Sequence, residues 1–440
     1  MSDPNIAQKD LPGGLRVFSE PLEEATSVAL GVWIRAGSRD ERDEVAGITH
    51  LMEHMLFKGT PDMDALGVAQ AFESIGAQEN AATGEEYTVL YARFLPEHLG
   101  RALDIMSDMV LRPTLADLER EREVIVEEIR MYEDRPDQMA DEYLSALIFH
   151  DDPLGRPIIG SAETVRGVDR DVLRTFHQST YTAPNVSVVA AGRLDRGELE
   201  QTVEEKLSGL PLGEPFVREA DPKAPESRFF YKHKETEQYH VSLGSLGIPA
   251  KSEDRYAMAA LNNVLGGGMS SRLFQEVREK RGLAYAVYSY HQGYSDAGAI
   301  KTYVGSTTGN VEEAVKVIAE QLHRVREETV SEEEIYRTKQ QLKSSTLLAL
   351  ESTPARMNRI GRSVITGTEL LLPEEIAARI EAVRADDIRR LAKEHLNLNQ
   401  MYLSAVGPKE LDLGRYLNGK QASGGTDDRN LRPEASDTRR

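Results

Sequence analysis

The chain has 440 residues, a formal net charge of −20 at pH 7 and no cysteine. This length suits two domains of about 200 residues better than one core. The negative charge argues against nucleic acid or an anionic membrane as partner. The lack of cysteine excludes disulfides and thiolate ligands, so any metal must be held by His, Asp or Glu.

The two ends of the chain are polar. The first residues, MSDPNIAQKDLPGG, contain neither the apolar core of a secretion signal nor an Arg-rich amphipathic pattern. No window of the sequence is apolar for long enough to form a membrane span. We therefore expect a cytoplasmic, bacterial protein that has no membrane or nucleic-acid partner, with a disordered tail at 421–440.

Between the ends, one pattern of elements occurs twice. An alternating strand at 26–38 has a counterpart at 239–249, and each precedes a helix rich in Met, Leu and Ala. Further strands, a charged helix and a closing strand then follow in both halves. These segments are 87–94 in the first half and 283–292 and 299–307 in the second, then 114–133 and 331–350, and finally 185–192 and 401–407.

The repeated pattern predicts an α+β fold of two homologous domains, because its strands come in hairpin-like clusters. Each domain should be a mainly antiparallel sheet packed with helices on one side. We place the N-terminal domain at 1–212 and the C-terminal domain at 229–420. The Pro-rich and charged segment at 213–228 is the expected linker.

The segment HLMEH, residues 50–54, lies in a stretch with helical periodicity. His50 and His54 are four residues apart, so both imidazoles leave the same side of a helix, and Glu53 flanks them. Two such imidazoles can bind one Zn²⁺ while the carboxylate accepts a proton from water. The alternative is the polar side of an ordinary helix, and a zinc site still requires a third ligand.

The charged helix at 114–133 offers two candidates for this third ligand. On a helical wheel, Glu121 and Glu128 fall on the apolar stripe with Leu118, Val124 and Ile125. Carboxylates on a core-facing stripe are costly unless they are paired or bind a metal. Three further glutamates lie outside this stripe and are expected to be solvated: Glu119, Glu123 and Glu127. The alternative is an ordinary charged helix, on which Glu121 and Glu128 would be solvated as well.

The second half provides an internal control. Aligning 114–133 with 329–348 places Tyr336 opposite Glu121 and Lys343 opposite Glu128. No HxxEH motif occurs near ALNNVLGGG, residues 260–268. We therefore expect no metal site in the C-terminal domain, and the fold alone does not require the candidate ligands of the first half.

Taken together, these motifs resemble the pitrilysin/insulinase family of zinc peptidases, in the short-chain branch that includes the mitochondrial processing peptidase. The segments that carry the resemblance are AGSRDE, GITHLMEHMLFKGT, GAQENAATGEEYTVLY, EREVIVEEI, PLGRPIIG and LGGGMSSRLFQEVREKRGLAYAVYSY. The resemblance implies one Zn²⁺ per chain, with His50, His54 and Glu128 as ligands. It also implies that Glu53 is the general base and that Glu121 orients a ligand histidine.

The same resemblance extends to the second domain. Arg278 and Tyr285 in REKRGLAY match the family's Arg/Tyr pair, which would bind substrate carbonyls and stabilise an oxyanion. Without the resemblance, they are an ordinary helix-end cation and a strand residue. Long-chain relatives bring four domains together around the site, so this two-domain chain is expected to form a homodimer. Each active site would then be completed by the partner's C-terminal domain.

ENAATGEEYT, residues 79–88, resembles the family's edge strand for substrate. Asn80, Ala81 and Thr83 would lie beside the metal, where an extended peptide can add as a further strand. Glu85 and Glu86 would attract basic residues or protect the sheet edge. The expected function is a zinc endopeptidase acting on peptides or unfolded, basic, presequence-like segments. The alternatives are a non-catalytic subunit of the same fold and a hydrolase of non-peptide bonds.

Overall fold

The structure is a computed structural model that describes residues 3–418. The expected disordered tail at 421–440 lies outside the described residues. In the described part of the chain, no helix has both the length and the apolar character needed to cross a membrane.

The first half of the chain forms eight strands and eight α-helices within the described residues. They are β1 (Ala7–Asp10), β2 (Arg16–Pro21), β3 (Val28–Ile34), α1 (Ile48–Leu56), β4 (Gly59–Thr60), β5 (Met63–Asp64), α2 (Ala65–Ser74), β6 (Gln78–Thr83), β7 (Thr88–Phe94), α3 (Leu99–Leu111), α4 (Leu118–Glu133), α5 (Pro136–Ile148), α6 (Ala162–Gly167), α7 (Arg170–Thr180), β8 (Val186–Gly192) and α8 (Arg196–Leu207).

The second half continues with five strands and six α-helices up to residue 418, together with a π-helix at Phe274–Glu279 that carries Arg278. They are β9 (Phe229–His233), β10 (Gln238–Leu246), α9 (Arg255–Gly266), β11 (Ala284–Gly293), β12 (Gly298–Thr307), α10 (Val311–Glu327), α11 (Glu332–Ala349), α12 (Thr353–Thr366), α13 (Pro373–Ala382), α14 (Ala385–His395) and β13 (Tyr402–Gly407).

The two large sheets have matching topologies. The first has the strand order β1-β2-β8-β3-β7-β6, and the second has β9-β13-β10-β12-β11, so only β1 lacks a counterpart. In each sheet one neighbouring pair is parallel, β2 with β8 and β9 with β13, and the other pairs are antiparallel. The predicted pair of homologous, mainly antiparallel α+β domains is confirmed.

The alternation of β3 explains how the first sheet is packed. Leu30 and Val32 point to one face, where they join the core formed by the helices of their own half. Ala29 and Trp33 point to the opposite face, as the period of two requires. Each sheet therefore has its own helices on one side, as expected.

The other side of each sheet is covered by a helix from the opposite half, a feature that the sequence analysis did not include. Helix α12 packs on the first sheet, where the indole Nε1 of Trp33 lies 3.4 Å from the sulfur of Met357. Helix α5 packs on the second sheet, where Ser404 Oγ donates to the carbonyl of Ala140. This exchange joins the two domains through apolar contacts in both directions.

The predicted linker at 213–228 is held against both domains. Arg35 donates to the carbonyl of Phe216 at 2.6 Å, and Arg218 forms a buried ion pair with Asp40 at 2.6 Å. On the other side, the amide of Ala220 donates to Asp296 at 2.7 Å. Hydrogen bonds and an ion pair therefore hold the linker against both domains.

Candidate metal centre

Helix α1 begins at Ile48 because of two features just before it. Gly47 has φ of 93°, a left-handed conformation that stops the helix from extending further back. The carboxylate of Glu41 accepts the amides of Gly47 and Thr49, both at 2.8 Å, and so satisfies the first turn. Burial raises the pKa of Glu41 to about 7, against the effect of these hydrogen bonds.

The loop PLGRPIIG, residues 153–160, packs against this start of the helix. A Cβ atom on Gly160 would lie 2.2 Å from the carbonyl oxygen of Ala46, so only glycine allows this approach. Arg156 donates to the carbonyls of Ser38 at 3.1 Å and Glu41 at 2.8 Å. These contacts fix the position of α1 before any ligand is considered.

The three predicted zinc ligands converge between α1 and α4. The Nε2 atoms of His50 and His54 lie 3.9 and 3.7 Å from Oε2 of Glu128. One ligand atom from each residue lies within 4.8 Å of the others. The helical spacing of the two histidines and the position of Glu128 on α4 thus produce one cluster.

The distances in this cluster fit a shared metal ion better than hydrogen bonds between the two histidines and Glu128. Separations of 3.7 and 3.9 Å are too long for hydrogen bonds. Two atoms that bind one zinc ion at about 2.0–2.1 Å lie ~3.4 Å apart at the tetrahedral angle. Neither ring nitrogen of the buried His50 has a hydrogen-bond partner within residues 3–418, and its Nε2 atom is the one that faces Glu128. Two imidazoles and one carboxylate form a donor set that zinc accepts, with a position left open.

The charge states of the cluster suit metal binding. Burial and, to a smaller extent, the neighbouring charge of His54 together lower the pKa of His50 to about 3, so the ring is neutral at pH 7. A neutral imidazole is the form that binds a metal. Burial raises the pKa of Glu53, whereas the Thr83 hydroxyl that donates to its carboxylate acts in the opposite direction.

Glu121 lies behind this cluster, as its predicted role requires. Its Oε2 atom is 3.4 Å from Nδ1 of His54, the ring nitrogen opposite the one that faces Glu128. Its other oxygen pairs with Lys58 Nζ at 2.7 Å. A carboxylate in this place holds the tautomer and orientation of a ligand histidine.

A cavity of about 430 Å³ opens over the cluster. Its lining includes His50, Glu53 and Glu128, and its α5 wall carries Asp141 and Glu142. Asp141 is bonded to Lys301 at 3.0 Å. Glu142 has no hydrogen bond or ion pair in the described chain, and burial, then the charge of Asp141, raises its pKa.

The predicted substrate strand is β6, which is the edge strand of the first sheet. Ala81 and Thr83 line the cavity, together with Ala82. The Thr83 side chain, however, donates its hydrogen bond to Glu53, an interaction that the sequence analysis did not foresee. Asn80 is exposed and does not line the cavity, and its Oδ1 accepts the amide of Ala81.

The two acidic residues after β6 already have partners. Oε1 of Glu85 accepts from Gln292 at 2.8 Å and from Tyr294 at 2.9 Å. Glu86 is buried and pairs with Arg39 at 2.6 Å, and it also accepts the amide of Ser295. These carboxylates therefore join the edge of the first sheet to the second domain.

Arg278 and Tyr285 contact each other but lie outside this cavity. Arg278 Nη1 donates to the Tyr285 carbonyl at 3.0 Å, and its guanidinium lies 4.3 Å from the centre of the Tyr285 ring. The Tyr285 side chain is 77% exposed. Gln292 at the other end of β11 does line the cavity, and seven residues of strand separate the two ends by roughly 20 Å.

Sequence reasoning missed the supporting residues of the site. Glu41 and Arg156 lie in AGSRDE and PLGRPIIG, which carried the resemblance but received no role. Lys58 follows the HLMEH helix and pairs with Glu121. A carboxylate six residues before Gly47 was the one local signal for a helix anchor, because acidic groups favour helix N-termini.

The HxxEH motif on α1, in the first half of this duplicated α+β fold, is the motif of the inverted class of zinc peptidases. The model of the "Insulinase (Peptidase family M16)" matches residues 16–162, and that of the "Peptidase M16 inactive domain" matches residues 167–342. The chain belongs to the insulinase family, peptidase family M16.

Relatives and solved structures agree with this assignment. The chain is 39% identical to an "uncharacterized zinc protease" of Streptomyces coelicolor, over 95% of this chain and 91% of that one. It is 38% identical to the zinc protease YmxG of Bacillus subtilis, over 87% and 93%. A protease from Helicobacter pylori has the same fold, with a TM-score of 0.86, 23% identity and coverage of 92% and 100%.

Proposed function

We propose that this protein is a zinc-dependent endopeptidase that cleaves internal bonds of peptides or unfolded segments. The observation that carries the proposal is the cluster of His50, His54 and Glu128 at the base of a cavity, with Glu53 beside it. Zinc held there would supply Lewis acidity toward a peptide carbonyl and a water molecule.

The residues of the chain would supply the remaining steps. Glu53 accepts a proton from the attacking water and passes it to the leaving amine. Its raised pKa favours this exchange near neutral pH, and the Thr83 hydroxyl fixes the orientation of the carboxylate. Ala81 and Ala82 lie on the exposed edge strand, where an extended substrate backbone can pair with β6.

The proposed substrate preference is for basic, presequence-like segments. Glu142 lines the cavity without a partner among residues 3–418, so its carboxylate is available to a substrate cation. Glu85 and Asp141 also line the cavity but are bonded within the chain. The preference for basic substrates is therefore assigned mainly to Glu142. We also propose that the enzyme is located in the cytoplasm.

We further propose that the active unit is a homodimer. Along β11, Tyr285 is roughly 20 Å from Gln292 at the cavity, and Arg278 contacts Tyr285, yet the chemistry of this pair suits an oxyanion. The partner's C-terminal domain would bring its own pair to the cavity. Mixing Glu53→Gln and Arg278→Ala subunits is expected to restore part of the activity, whereas no recovery would contradict a shared site.

The proposal is tested by cleavage of a mixed peptide pool, read by mass spectrometry. Wild type and Glu53→Gln are compared after both are shown to hold zinc. Loss of the general base is expected to lower the rate by about a hundredfold or more. The control is Glu127→Gln, an exposed glutamate on α4, which should retain full activity. Equal cleavage by wild type and Glu53→Gln would refute the assigned role.

The same experiment separates the alternatives. A non-catalytic subunit of this fold would cleave no peptide while still binding zinc, and an enzyme for other bonds would hydrolyse small esters alone. The complete set of ligand side chains supports the peptidase over a non-catalytic subunit, because a structural role does not require two imidazoles and a carboxylate at this spacing.

A further inference from the structure

A second pocket, of about 500 Å³, lies where both domains meet the linker. It shares no lining residue with the zinc cavity. Its lining carries four cationic side chains and a single carboxylate. The cations are Arg16, Arg35, Arg218 and Lys251, and the carboxylate is Asp296. Such a positive pocket is unexpected in a chain whose net charge is −20.

The single carboxylate does not neutralise the pocket. Asp296 pairs with Arg39, a cation outside the pocket, at 2.8 Å. Its second oxygen also accepts the amide of Ala220 at 2.7 Å. Arg218 is likewise engaged, in an ion pair with Asp40 at 2.6 Å.

The other three cations form no ion pair within residues 3–418, although the charge of Asp10 acts on Arg16 and those of Asp40 and Glu86 act on Arg35. Within the described residues, Arg16 makes no side-chain hydrogen bond or ion pair, although it is partly buried. Arg35 donates only to the carbonyl of Phe216. Lys251 is exposed, and it also makes no ion pair within residues 3–418. Three cationic side chains of the pocket are therefore free of direct bonds to a carboxylate and can donate to a ligand.

The electrostatic environment of Arg35 agrees with this description. Burial lowers the pKa of Arg35, and the neighbouring charges of Arg218 and Arg16 lower it further. The carboxylates of Asp40 and Glu86 act in the opposite direction but do not reverse the shift. Like charges held together at a partly buried site are stabilised by an anion that binds between them.

We propose that this pocket binds an oxyanion of the phosphate type through Arg16, Arg35 and Lys251. Guanidinium groups match the oxygens of phosphate with paired hydrogen bonds. Three available cations favour a multiply charged ion over a single carboxylate, because the attraction grows with the charge of the ligand. This site is independent of the proposed peptidase function. The phosphate group could come from free phosphate or from a nucleotide.

The test is calorimetric titration of the full, zinc-loaded chain with inorganic phosphate. Wild type is expected to bind one phosphate per chain with saturation. The variant Arg16→Gln/Arg35→Gln should bind at least about tenfold more weakly, since each arginine contributes charge-assisted hydrogen bonds. The control is Arg170→Gln/Arg196→Gln, which removes two exposed arginines outside the pocket and should bind like wild type.

Three further measurements complete the test. Lys251→Gln alters only an exposed side chain, so weaker binding by this variant supports the proposal even if the arginine variant does not fold. Adenosine monophosphate identifies the source, because binding tighter than that of phosphate indicates a nucleotide. Acetate probes the charge requirement. The proposal is overturned by the absence of saturable phosphate binding, by unchanged binding in the pocket variants, or by acetate binding as tightly as phosphate.

Discussion

The charged helices α4 and α11 occupy matching places in the two halves, and each packs against the matching helix, α1 or α9, yet their side chains at matched positions differ. Helix α4 buries Glu121 and packs against α1. Helix α11 buries only Thr338, and its Tyr336, opposite Glu121, is 63% exposed. Lys343, opposite Glu128, pairs with Glu381 at 2.8 Å. The duplicated fold therefore tolerates ordinary surface residues where the first half places two carboxylates against the histidine helix.

The largest difference between the two halves is expected at Glu128 and its counterpart Lys343, in the effect of a substitution on zinc affinity. Glu128→Gln should weaken zinc binding by more than the 10–100-fold typical of a supporting residue, because it replaces a proposed ligand. Lys343→Gln, at the matching position of the second half, should leave zinc affinity unchanged. Competition with a chromogenic chelator measures both. Equal zinc affinity in Glu128→Gln and wild type would remove Glu128 from the ligand set.

A smaller effect on zinc affinity is expected at Glu121, which contacts the proposed ligand His54 and does not bind the metal itself. Glu121→Gln should weaken zinc binding by about 10–100-fold, because the amide holds His54 less strongly than the carboxylate does. Tyr336→Phe is the matched control and should have no effect. The same chelator competition applies, with circular dichroism to check folding. A loss of zinc affinity as large in the control as in Glu121→Gln would break the comparison.

The buried histidine should make the stability of the metal-free protein depend on pH. The folded-state pKa of His50, about 3, is below its usual value, so the unfolded chain takes up the proton first. Its contribution is present above pH 6.5 and is lost on acidification, by about 2 kcal/mol between pH 6.5 and 5. Urea unfolding at several pH values gives the free energy of unfolding of metal-free wild type and His50→Gln. If the two proteins lose stability in parallel as the pH falls, His50 does not make this contribution.

Helix α12, which packs on the sheet of the opposite half, should contribute a free energy of similar size to the stability. A Cβ atom on Gly361 of α12 would lie 2.0 Å from the buried indole of Trp33. Gly361→Ala should therefore destabilise the protein by about 1–3 kcal/mol through overpacking. Gly309→Ala is the control, because a Cβ there has no neighbour within 4 Å. Urea midpoints that shift equally in the two variants would mean that the packing of α12 on Trp33 is unimportant.

Much of the fold could be predicted because its signals are local. The alternation of β3 and β10 and the capping residues of α11 are visible in short windows. Two features had no such signal. The packing of α5 and α12 on the opposite sheets depends on contacts distant in sequence. Val124, at the margin of the predicted stripe of α4, is 45% exposed, because the wheel does not indicate where the neighbouring helices end.

The candidate site also combines features that could be predicted from sequence with features that depend on contacts between distant segments. The positions of His50, His54 and Glu128 follow from helical spacing and from the resemblance, and the structure brings them together. The bond from Thr83 to Glu53 could not be predicted, because it joins an edge strand to a helix thirty residues away. Glu85 and Glu86 could likewise be read from sequence only as a charged sheet edge, although they bind the second domain.

The most direct test of the metal centre is anomalous diffraction at the zinc absorption edge, using crystals of the zinc-loaded chain. We expect one peak per chain, within about 2.0–2.2 Å of ligand atoms of His50, His54 and Glu128, and none between α9 and α11. Absence of a peak at this cluster, or a peak bound by other residues, would contradict it.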